Sequence, residues 1–349
     1  MIKEVSIVIH PEKEKDEKFI QKEICLALKK QGISFEEKDI STVFVKKSID
    51  ARHKNIKLFL RYKVYIGEKP ADENSLPEWK TTTGKKTVAI IGSGPAGLFG
   101  ALKLLEHGIK PVVIERGSET SKRKRDIAMI STTGIVDENS NYCFGEGGAG
   151  TFSDGKLYTR SNKRGNINGI LKIFTHFGAD KKILTDSHPH IGTDKLPAIV
   201  NNIRNFILQQ GGEFLFDTEC VDFILEKSED EKIVKGVVVK SHGEIKNIFA
   251  DAVLLATGHS ADSIYTLLAK LSPESLEAKT FAMGVRVEHP RNLIDSIQFH
   301  GQKNHELGAA EYRLTSQIDG RGVYSFCMCP GGFVVPSSTG PKEIVVNGM

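Results

Sequence analysis

The stretch TVAIIGSGPAGLFGALKLLEHGIKPVVIERG, beginning at Thr87, constrains the fold more than any other part of the chain. An apolar strand runs directly into Gly92, Gly94 and Gly97, and an apolar helix follows. A second apolar strand then ends in Glu115. The first glycine permits a tight turn, the second lets a pyrophosphate approach the backbone, and the third lets the helix pack closely on the strand. The pattern predicts a parallel α/β sheet with a dinucleotide site at this turn.

The acidic residue at the end of the second strand narrows the choice of dinucleotide. Glu115 follows the glycines at a separation, about 20 residues, at which a carboxylate can bind a ribose 2′-hydroxyl. A carboxylate at this place disfavours the 2′-phosphate of NADP. NAD and FAD share the fingerprint, so the choice between them depends on the sequence farther along the chain.

The segment ADAVLLATGHSADS favours FAD. Val253 to Leu255 is predicted to be a buried strand. In two-part FAD folds such a strand returns beside the first strand, and its terminal small residues, here Ala256, Thr257 and Gly258, lie along the cofactor. Before it lie the strand in GGEFLFDTECVDFILEK and a hairpin around KIVKGVVVKSHGEIKNIFAD, which predict a β-meander. This order resembles the glutathione-reductase-type FAD domain and departs from NAD-dependent dehydrogenases, whose Rossmann strands continue without a meander. FAD is therefore the predicted cofactor.

Longer motifs narrow the resemblance. FGEGGAGTFSDGKLYTR, HPHIGTDKL, ATGHSA, FAMGVRVEHP and YSFCMCPGGFVV together resemble the bacterial family of NAD(FAD)-utilizing or FAD-dependent dehydrogenases, over nearly the whole chain. The resemblance implies an FAD-dependent oxidoreductase that transfers a hydride or two electrons through bound FAD, with an undefined substrate. The chain departs from the family after GHSA, where it has Asp262 and Ser263 in place of the usual Arg-Asp.

The end of the chain is a second departure, because the family pattern continues beyond Met349. An apolar strand from Ile344 to Val346 is expected to enter the core with nothing after it to cover it. Buried backbone without partners and open apolar surface both cost stability. The sequence therefore predicts a truncated family member with weak FAD binding and little turnover.

A glycine-rich loop, FGEGGAGTFSDGKL, spans Phe144 to Leu157, and five of its fourteen residues are glycine. Glycines let backbone N–H groups reach phosphates and a flavin without Cβ clashes. Lys156 is a candidate for a positive charge that raises the flavin potential. The alternative interpretation is that Lys156 points to solvent and Asp154 caps a turn. His190, in HPHIGTD, is a candidate substrate-side acid or a loop-structuring residue.

The predicted functional residues fall into two groups, and no metal site is predicted. The candidates for catalysis are Lys156, Asp154 and His190. The predicted cofactor-binding residues are Gly92, Gly94, Pro95, Ala96, Gly97, Glu115, Arg116, Gly147, Gly148, Gly150, Thr151, Cys220, Ala256, Thr257 and Gly258.

The periodicity of apolar residues predicts an α/β fold with a small α+β domain before it. The strands VSIVIH, TVFVKKSI and IKLFLRYKVYI and one helix indicate that N-terminal domain. The apolar positions of its helix are Phe19, Ile20, Ile24, Leu26 and Leu28. The predicted boundaries are 1–69 for this domain, 70–86 for a linker, 87–160 and 195–262 for a discontinuous FAD-binding Rossmann-like domain, and 161–194 and 263–349 for a β-rich substrate or cap region.

The overall charge is nearly balanced, since 48 basic and 44 acidic residues give a net charge of +4. This balance does not favour a nucleic-acid or membrane partner, and a small-molecule substrate is expected. Only one dinucleotide fingerprint is present, so NADH or NADPH would bind transiently near the flavin as electron donor. An alternative is a flavoprotein acting on RNA or another macromolecule, with the N-terminal domain and its basic stretch ARHKNIKLFLRYK as the binding arm.

The sequence predicts a cytoplasmic protein. Its N-terminus, MIKEVSIVIHPEKEKDEK, lacks the apolar region of a signal peptide. No apolar run approaches the ~20 residues needed to span a bilayer. Five scattered cysteines do not indicate a disulfide framework.

Overall fold

The computed structural model describes residues 1–70, 76–153, 155–157, 159, 165–186, 189–192, 195–227, 232–302, 307–325, 328–329 and 332–348. Its strands are β1 (Ile2–Ile9), β2 (Ile40–Asp50), β3 (Lys57–Ile66), β4 (Thr87–Ile91), β5 (Lys110–Ile114), β6 (Glu213–Leu215), β7 (Thr218–Lys227), β8 (Lys232–Ser241), β9 (Glu244–Phe249), β10 (Ala252–Leu255), β11 (Thr315–Ile318), β12 (Arg321–Tyr324), β13 (Val334–Pro336) and β14 (Val346–Gly348). Its helices are α1 (Glu17–Lys30), α2 (Pro95–Glu106), α3 (Thr120–Thr133), α4 (Ile167–His176), α5 (Leu196–Gln209), α6 (Asp262–Leu271) and α7 (Arg291–Gln298). Among these described helices, none combines the length and the apolar character needed to cross a membrane.

Four parallel strands form the sheet that carries the glycine turn, in the order β10-β4-β5-β6. Short apolar strands of this kind are buried when both faces of a parallel sheet are covered. On one face, Ile90 and Val113 lie in a core with residues of α2, α4 and α5. On the other face, Ile91 and Ile114 lie in a core with residues of β8 and α6. The sheet is therefore the middle layer of an α/β unit.

Strand β10 pairs in parallel with β4, which confirms the predicted return of the chain beside the first strand. The predicted meander is also present, as an antiparallel sheet in the order β7-β8-β9 between β6 and β10. The predicted burial of β10 is wrong, since Leu254 and Leu255 are 39% and 38% exposed. The reason is its place at the edge of the sheet, where β4 covers only one side.

An antiparallel sheet in the order β1-β3-β2 precedes the parallel sheet in the chain. The strands and the helix predicted for this region are all present, and α1 begins where the Asp16 side chain accepts a hydrogen bond from the Phe19 N–H at 3.0 Å. Helix α1 buries Ile24 and Leu28 against one face of the sheet, but Leu26, another of its apolar positions, is 40% exposed. Helix periodicity explains the difference, because positions 24 and 28 share a face and position 26 does not.

Two regions outside the predicted FAD domain contribute to the core beside α2 and α5. Trp79, in the predicted linker, contacts the rings of Phe177 and Phe206 at centroid distances of 5.8 and 5.1 Å. Leu171 and Ile173 of α4, in the predicted cap region, belong to the same core. The proposed domain boundaries stay a prediction.

The C-terminal segment differs from the predicted buried strand at 344–346. The structure places the strand at β14, where it pairs with β13. Ile344 is 97% exposed and Val345 is 51% exposed. An apolar sequence alone did not distinguish a core strand from a short exposed hairpin, so that part of the prediction is wrong.

Arg123 of α3 fixes the glycine-rich loop. Its guanidinium is fully buried and donates to the carbonyl oxygens of Asn141 at 3.0 Å, Tyr142 at 3.1 Å, Gly145 at 3.2 Å and Glu146 at 2.7 Å. Burial lowers the pKa of Arg123 to about 10, which leaves it protonated at neutral pH. One side chain thus donates to four buried carbonyls, of which that of Gly145 also accepts from the Gly148 N–H and that of Glu146 from the Thr151 hydroxyl.

Substitution of Gly97 tests the contact between the glycine turn and α2. A Cβ at Gly97 would lie 2.0 Å from the Gly92 carbonyl oxygen, whereas a Cβ at Gly100 would meet only the end of the Leu254 side chain, at 2.8 Å. We expect Gly97→Ala to lower the free energy of unfolding by more than about 2 kcal/mol. Gly100→Ala, on the same helix, gains up to about 1 kcal/mol of helix propensity and is the matched control. Urea-induced unfolding measures both, and equal midpoints would contradict the packing argument.

Substitution of Arg123 tests the loop clamp. Arg123→Met removes one donor from each of four buried carbonyls and should lower the free energy of unfolding by about 3–5 kcal/mol. Arg125→Met changes an exposed arginine two positions away on the same helix and should stay within about 0.5 kcal/mol of the wild type. Denaturant unfolding with limited proteolysis of the loop is the measurement. A wild-type cleavage pattern and stability for Arg123→Met would refute the clamp.

Candidate functional site

A cavity of about 620 Å³ opens at the carboxyl ends of β4, β5 and β10. The carboxyl ends of neighbouring parallel strands meet at one edge of a sheet, which is where open α/β sheets bind ligands. Three glycine-containing segments and the start of α6 line the cavity. The predicted cofactor residues that line it are Gly92, Gly94, Pro95, Ala96, Glu115, Arg116, Gly148, Gly150, Cys220, Ala256, Thr257 and Gly258.

The packing of the protein backbone requires two glycines of the fingerprint, independently of any ligand. Gly92 has φ +105°, and a Cβ there would lie 2.5 Å from the Ala256 carbonyl oxygen. Gly97 does not line the cavity, and its missing Cβ lets α2 approach the Gly92 carbonyl. Both positions fix the turn between β4 and α2, whatever the cavity binds.

Gly94 is different from these two glycines. Its φ of −69° suits any residue, and the protein atom nearest to an added Cβ would be the Gly148 Cα at 3.7 Å. Gly94 precedes the first turn of α2, whose backbone N–H groups and dipole attract anions. The protein leaves free space beside Gly94 that faces the cavity, which fits a ligand phosphate.

Glu115 joins the strand ends to the loop. One carboxylate oxygen accepts from the Ser93 N–H at 2.9 Å and the Ser93 hydroxyl at 2.8 Å. The other accepts from the N–H groups of Gly117 at 2.9 Å and Gly145 at 3.0 Å. Glu115 is 5% exposed and lines the cavity. A ribose hydroxyl would therefore share a carboxylate that four protein donors already hold in place.

Arg116 supplies a donor to the cavity. Its guanidinium lies 4.4 Å from the centroid of the Phe144 ring and donates to the Asn139 side chain at 3.0 Å. Its Nε is buried and, within the described part of the chain, has no hydrogen-bond partner. A buried N–H without an acceptor costs free energy, and an oxygen or ring nitrogen of a ligand would satisfy it.

The glycine-rich loop divides into a cavity-facing part and a buried part. Gly148 and Gly150 line the cavity, and Gly148 approaches the backbone of Gly94. Gly147 and Thr151 do not line it, because Gly147 donates to the Ser93 carbonyl at 3.0 Å and the Thr151 hydroxyl donates inside the loop. Their predicted cofactor contact stays a prediction.

Glu146 is a buried charged residue of this loop, and it contributes to the packing of the loop on two helices. Its side chain is fully buried, accepts from the Thr120 N–H at 2.8 Å and lies 3.2 Å from Arg204 Nε. Burial raises the pKa of Glu146, and Arg204 opposes that shift. The acid therefore ties the loop to α3 and α5.

Cys220 lies in the cavity wall beside the start of the meander. Burial raises the pKa of Cys220 to about 12, so the group is a neutral thiol at physiological pH. A neutral thiol is a small apolar contact and a poor nucleophile.

Sequence reasoning missed several cavity residues. Phe144 and Gly145 precede the loop glycines that were predicted to bind the cofactor, and Ser260 and Tyr265 follow the ATG strand. Arg123 was also missed, although the sequence carries a signal for it. In the run KRKR, only Arg123 lies at helical spacing from the buried Ile127 and Ile130.

The candidates for catalysis lie in a separate group. Lys156 and His190 are joined by an isolated antiparallel bridge, and the Lys156 ammonium donates to Cys329 Sγ at 3.1 Å. His190 Nε2 lies 3.8 Å from a Glu311 carboxylate oxygen. Neither Lys156 nor His190 is among the residues that line the cavity. Asp154 lies outside the described residues.

Three family models match parts of the chain. Residues 85–134 match the FAD binding domain, and residues 280–349 match the family described as FAD-dependent protein, C-terminal domain-like. Residues 1–65 match a domain of unknown function (DUF8436). The first match covers the strand, the glycine turn and Glu115, which line the cavity.

A relative and several solved structures resemble this chain. An uncharacterized protein of Clostridium beijerinckii is 40% identical over 350 residues, which cover 95% of this chain and 63% of the relative. The chain thus spans less than two thirds of the relative's length. THI4 of Thermovibrio ammonificans has a TM-score of 0.36 and 19% identity over 54% of this chain and 63% of that chain. The glycerol-3-phosphate dehydrogenase of Bacillus halodurans, complexed with FAD, has a TM-score of 0.32 and 14% identity over 53% of this chain and 37% of that chain.

The structural likenesses are too weak to carry an argument, and the family models are decisive. The FAD binding domain falls on the segment whose Gly94 leaves space for a phosphate. The C-terminal match is to a family of FAD-dependent proteins. The predicted cofactor is confirmed: the chain carries an FAD-binding domain, and its cofactor is FAD.

Proposed function

We propose that this chain is an FAD-dependent oxidoreductase, a dehydrogenase or reductase that acts on a small molecule. The observation that carries the proposal is the free space beside Gly94, where a Cβ would find no protein atom nearer than 3.7 Å. The packing of the protein does not require glycine at position 94. A ligand that approaches the backbone closely at this position would require it. Bound FAD supplies two-electron chemistry between a donor and an acceptor.

The strand order supports the finer assignment to a glutathione-reductase-type FAD domain. In that type, a meander interrupts the parallel sheet before a last strand returns beside the first. Here β7-β8-β9 lie between β6 and β10, and β10 pairs with β4. An uninterrupted Rossmann sheet would instead be typical of an NAD-dependent dehydrogenase.

Different cavity residues would contact different parts of FAD. Gly94 and the first turn of α2 would hold the diphosphate, because backbone N–H groups and the helix dipole favour anions there. Glu115 would accept from a ribose hydroxyl, and Arg116 Nε would donate to the adenosine end. Gly148 and Gly150 offer backbone without side chains on the opposite wall.

Lys156 and His190 are proposed to act on the substrate side. Their shared bridge and the neighbouring Glu311 place an ammonium, an imidazole and a carboxylate in one group. His190, with the Glu311 carboxylate beside it, is proposed as the substrate-side acid. NADH or NADPH would bind transiently as donor, since the sequence has one dinucleotide fingerprint.

Gly94→Val tests the cofactor site. The valine Cβ would lie 3.7 Å from the nearest protein atom, and its methyl groups would occupy the space of the diphosphate, so FAD should bind at least about tenfold more weakly, or about 1.4 kcal/mol. The stability of the flavin-free protein should be nearly unchanged. Flavin content per chain after purification and titration with FAD are the measurements.

Gly169→Val is the matched control for Gly94→Val. Gly169 lies on α4 outside the cavity, and its Cβ would make only an ordinary contact with Asn166 at 3.6 Å. This variant should keep wild-type flavin content. Full flavin content in Gly94→Val would show that FAD binds elsewhere.

Anaerobic reduction tests the oxidoreductase proposal. Adding NADH and then NADPH to the flavin-loaded protein should bleach the flavin absorbance within a turnover time typical of enzymes, about 1 s or less. The control is the Gly94→Val protein mixed with FAD, in which most of the flavin is unbound. NADH and NADPH added to this mixture measure the reduction of free flavin. A flavin that neither nucleotide nor any tested small-molecule donor reduces would contradict the proposed activity while leaving the FAD site intact.

A further inference from the structure

The positive charge of the chain is concentrated near its N-terminus. Residues 1–70 carry 16 of the 48 basic residues and 11 of the 44 acidic ones, so residues 71–349 carry 32 and 33. Residues 40–66, from the start of β2 to the end of β3, carry seven basic residues and one acidic residue. Ordinary protein surfaces intersperse both signs. The net charge of the whole chain does not reveal this local excess of positive charge. Such an excess favours binding to a polyanionic partner.

The β1-β3-β2 sheet has one covered face. Leu58 and Leu60 of β3 are 0% and 2% exposed and pack with residues of α1. Ile294 and Phe299, in and after α7, belong to the same core. Because side chains alternate along a strand, the residues between these leucines point to the opposite face.

The opposite face has cations at its centre. Arg61 on the middle strand β3 pairs with Ser6 of β1 on one side and Lys46 of β2 on the other. Cross-strand partners point to the same face, and all three residues are exposed. Glu4 lies 3.9 Å from Arg61, which at an exposed site contributes about 1 kcal/mol or less and leaves Arg61 able to bind a phosphate.

An aromatic side chain lies beside these cations. Phe59, two residues before Arg61 on β3, is 37% exposed and pairs with Val8 and Ser48. Its place on the middle strand, two residues from Arg61, leaves part of the ring open to a ligand. Single-stranded nucleic acids bind to sheets of this kind: unpaired bases stack on an aromatic ring, and their phosphates contact basic side chains beside it.

We propose that this outer face, defined by Ser6, Val8, Lys46, Ser48, Phe59 and Arg61, binds single-stranded RNA. Phe59 stacks on a base, and Arg61 and Lys46 contact phosphates. The hydroxyls of Ser6 and Ser48 flank the two contact residues and can hydrogen-bond a ribose 2′-hydroxyl, which DNA lacks. An acidic peptide would use the cations but leave Phe59 without a stacking partner.

Fluorescence anisotropy of the full chain with a labelled oligouridylate of roughly 12 nucleotides tests the proposal. The wild type should bind, and its affinity should fall steeply between roughly 50 and 200 mM salt. Phe59→Ala should weaken binding by about fivefold or more with an unchanged salt slope. Arg61→Gln should reduce the salt slope by about 0.7, the value for one phosphate contact on a single strand.

Matched controls come from β9, where Phe249 and Lys246 are exposed far from the N-terminal sheet in the chain. Phe249→Ala and Lys246→Gln should bind RNA like the wild type. The proposal is overturned if the wild type does not bind at low salt, or if Phe59→Ala binds as tightly as Phe249→Ala. Equal affinity for DNA of matched sequence, or equal competition by polyglutamate, also overturns it. Because flavin content is measured separately, failure here leaves the FAD proposal standing.

Discussion

The Glu115 carboxylate is the junction on which the cavity depends. It accepts hydrogen bonds from Ser93 after β4, from Gly117 after β5 and from Gly145 in the glycine-rich loop. A buried charge without partners costs several kcal/mol, so all four of its hydrogen bonds must be retained in the folded state. These three segments, which line the cavity, therefore hold a common geometry and cannot shift independently.

Arg123 complements this junction from the other side of the loop. It binds four carbonyl oxygens of residues 141–146, while Glu115 binds the Gly145 N–H. Burial lowers the pKa of Arg123, and the nearby Glu115 charge raises it again. A Cβ at Gly145 would lie 2.4 Å from Arg123 Cδ, so the packing of the arginine requires this glycine, whereas Gly148 and Gly150 leave the cavity wall free of side chains. Glycine in the loop thus has two separate physical causes.

The N-terminal sheet uses its two faces for different purposes. Its inner face packs with α1 and also with α7, which joins the two ends of the chain in one core. Its outer face concentrates positive charge around Phe59, whereas the remainder of the chain is almost neutral. A chain with a cofactor site at one sheet and a basic face at another can couple flavin chemistry to a macromolecule, which connects the two proposals without making either depend on the other.

The sequence by itself determined the βαβ unit, the meander, the return of β10 beside β4 and the choice of FAD. The βαβ unit and the meander follow from local patterns, namely glycine spacing, alternation and an acid at a strand end, which act over short stretches of chain. The return of β10 and the choice of FAD follow from the resemblance of the order of elements to a known type of FAD domain. Only the tertiary structure decided that Leu254 lies at an exposed edge, that Ile344 faces solvent and that Arg123 is buried under the loop. Edge position, burial and the partners of a charge depend on contacts between residues distant in sequence, and no local pattern specifies those contacts.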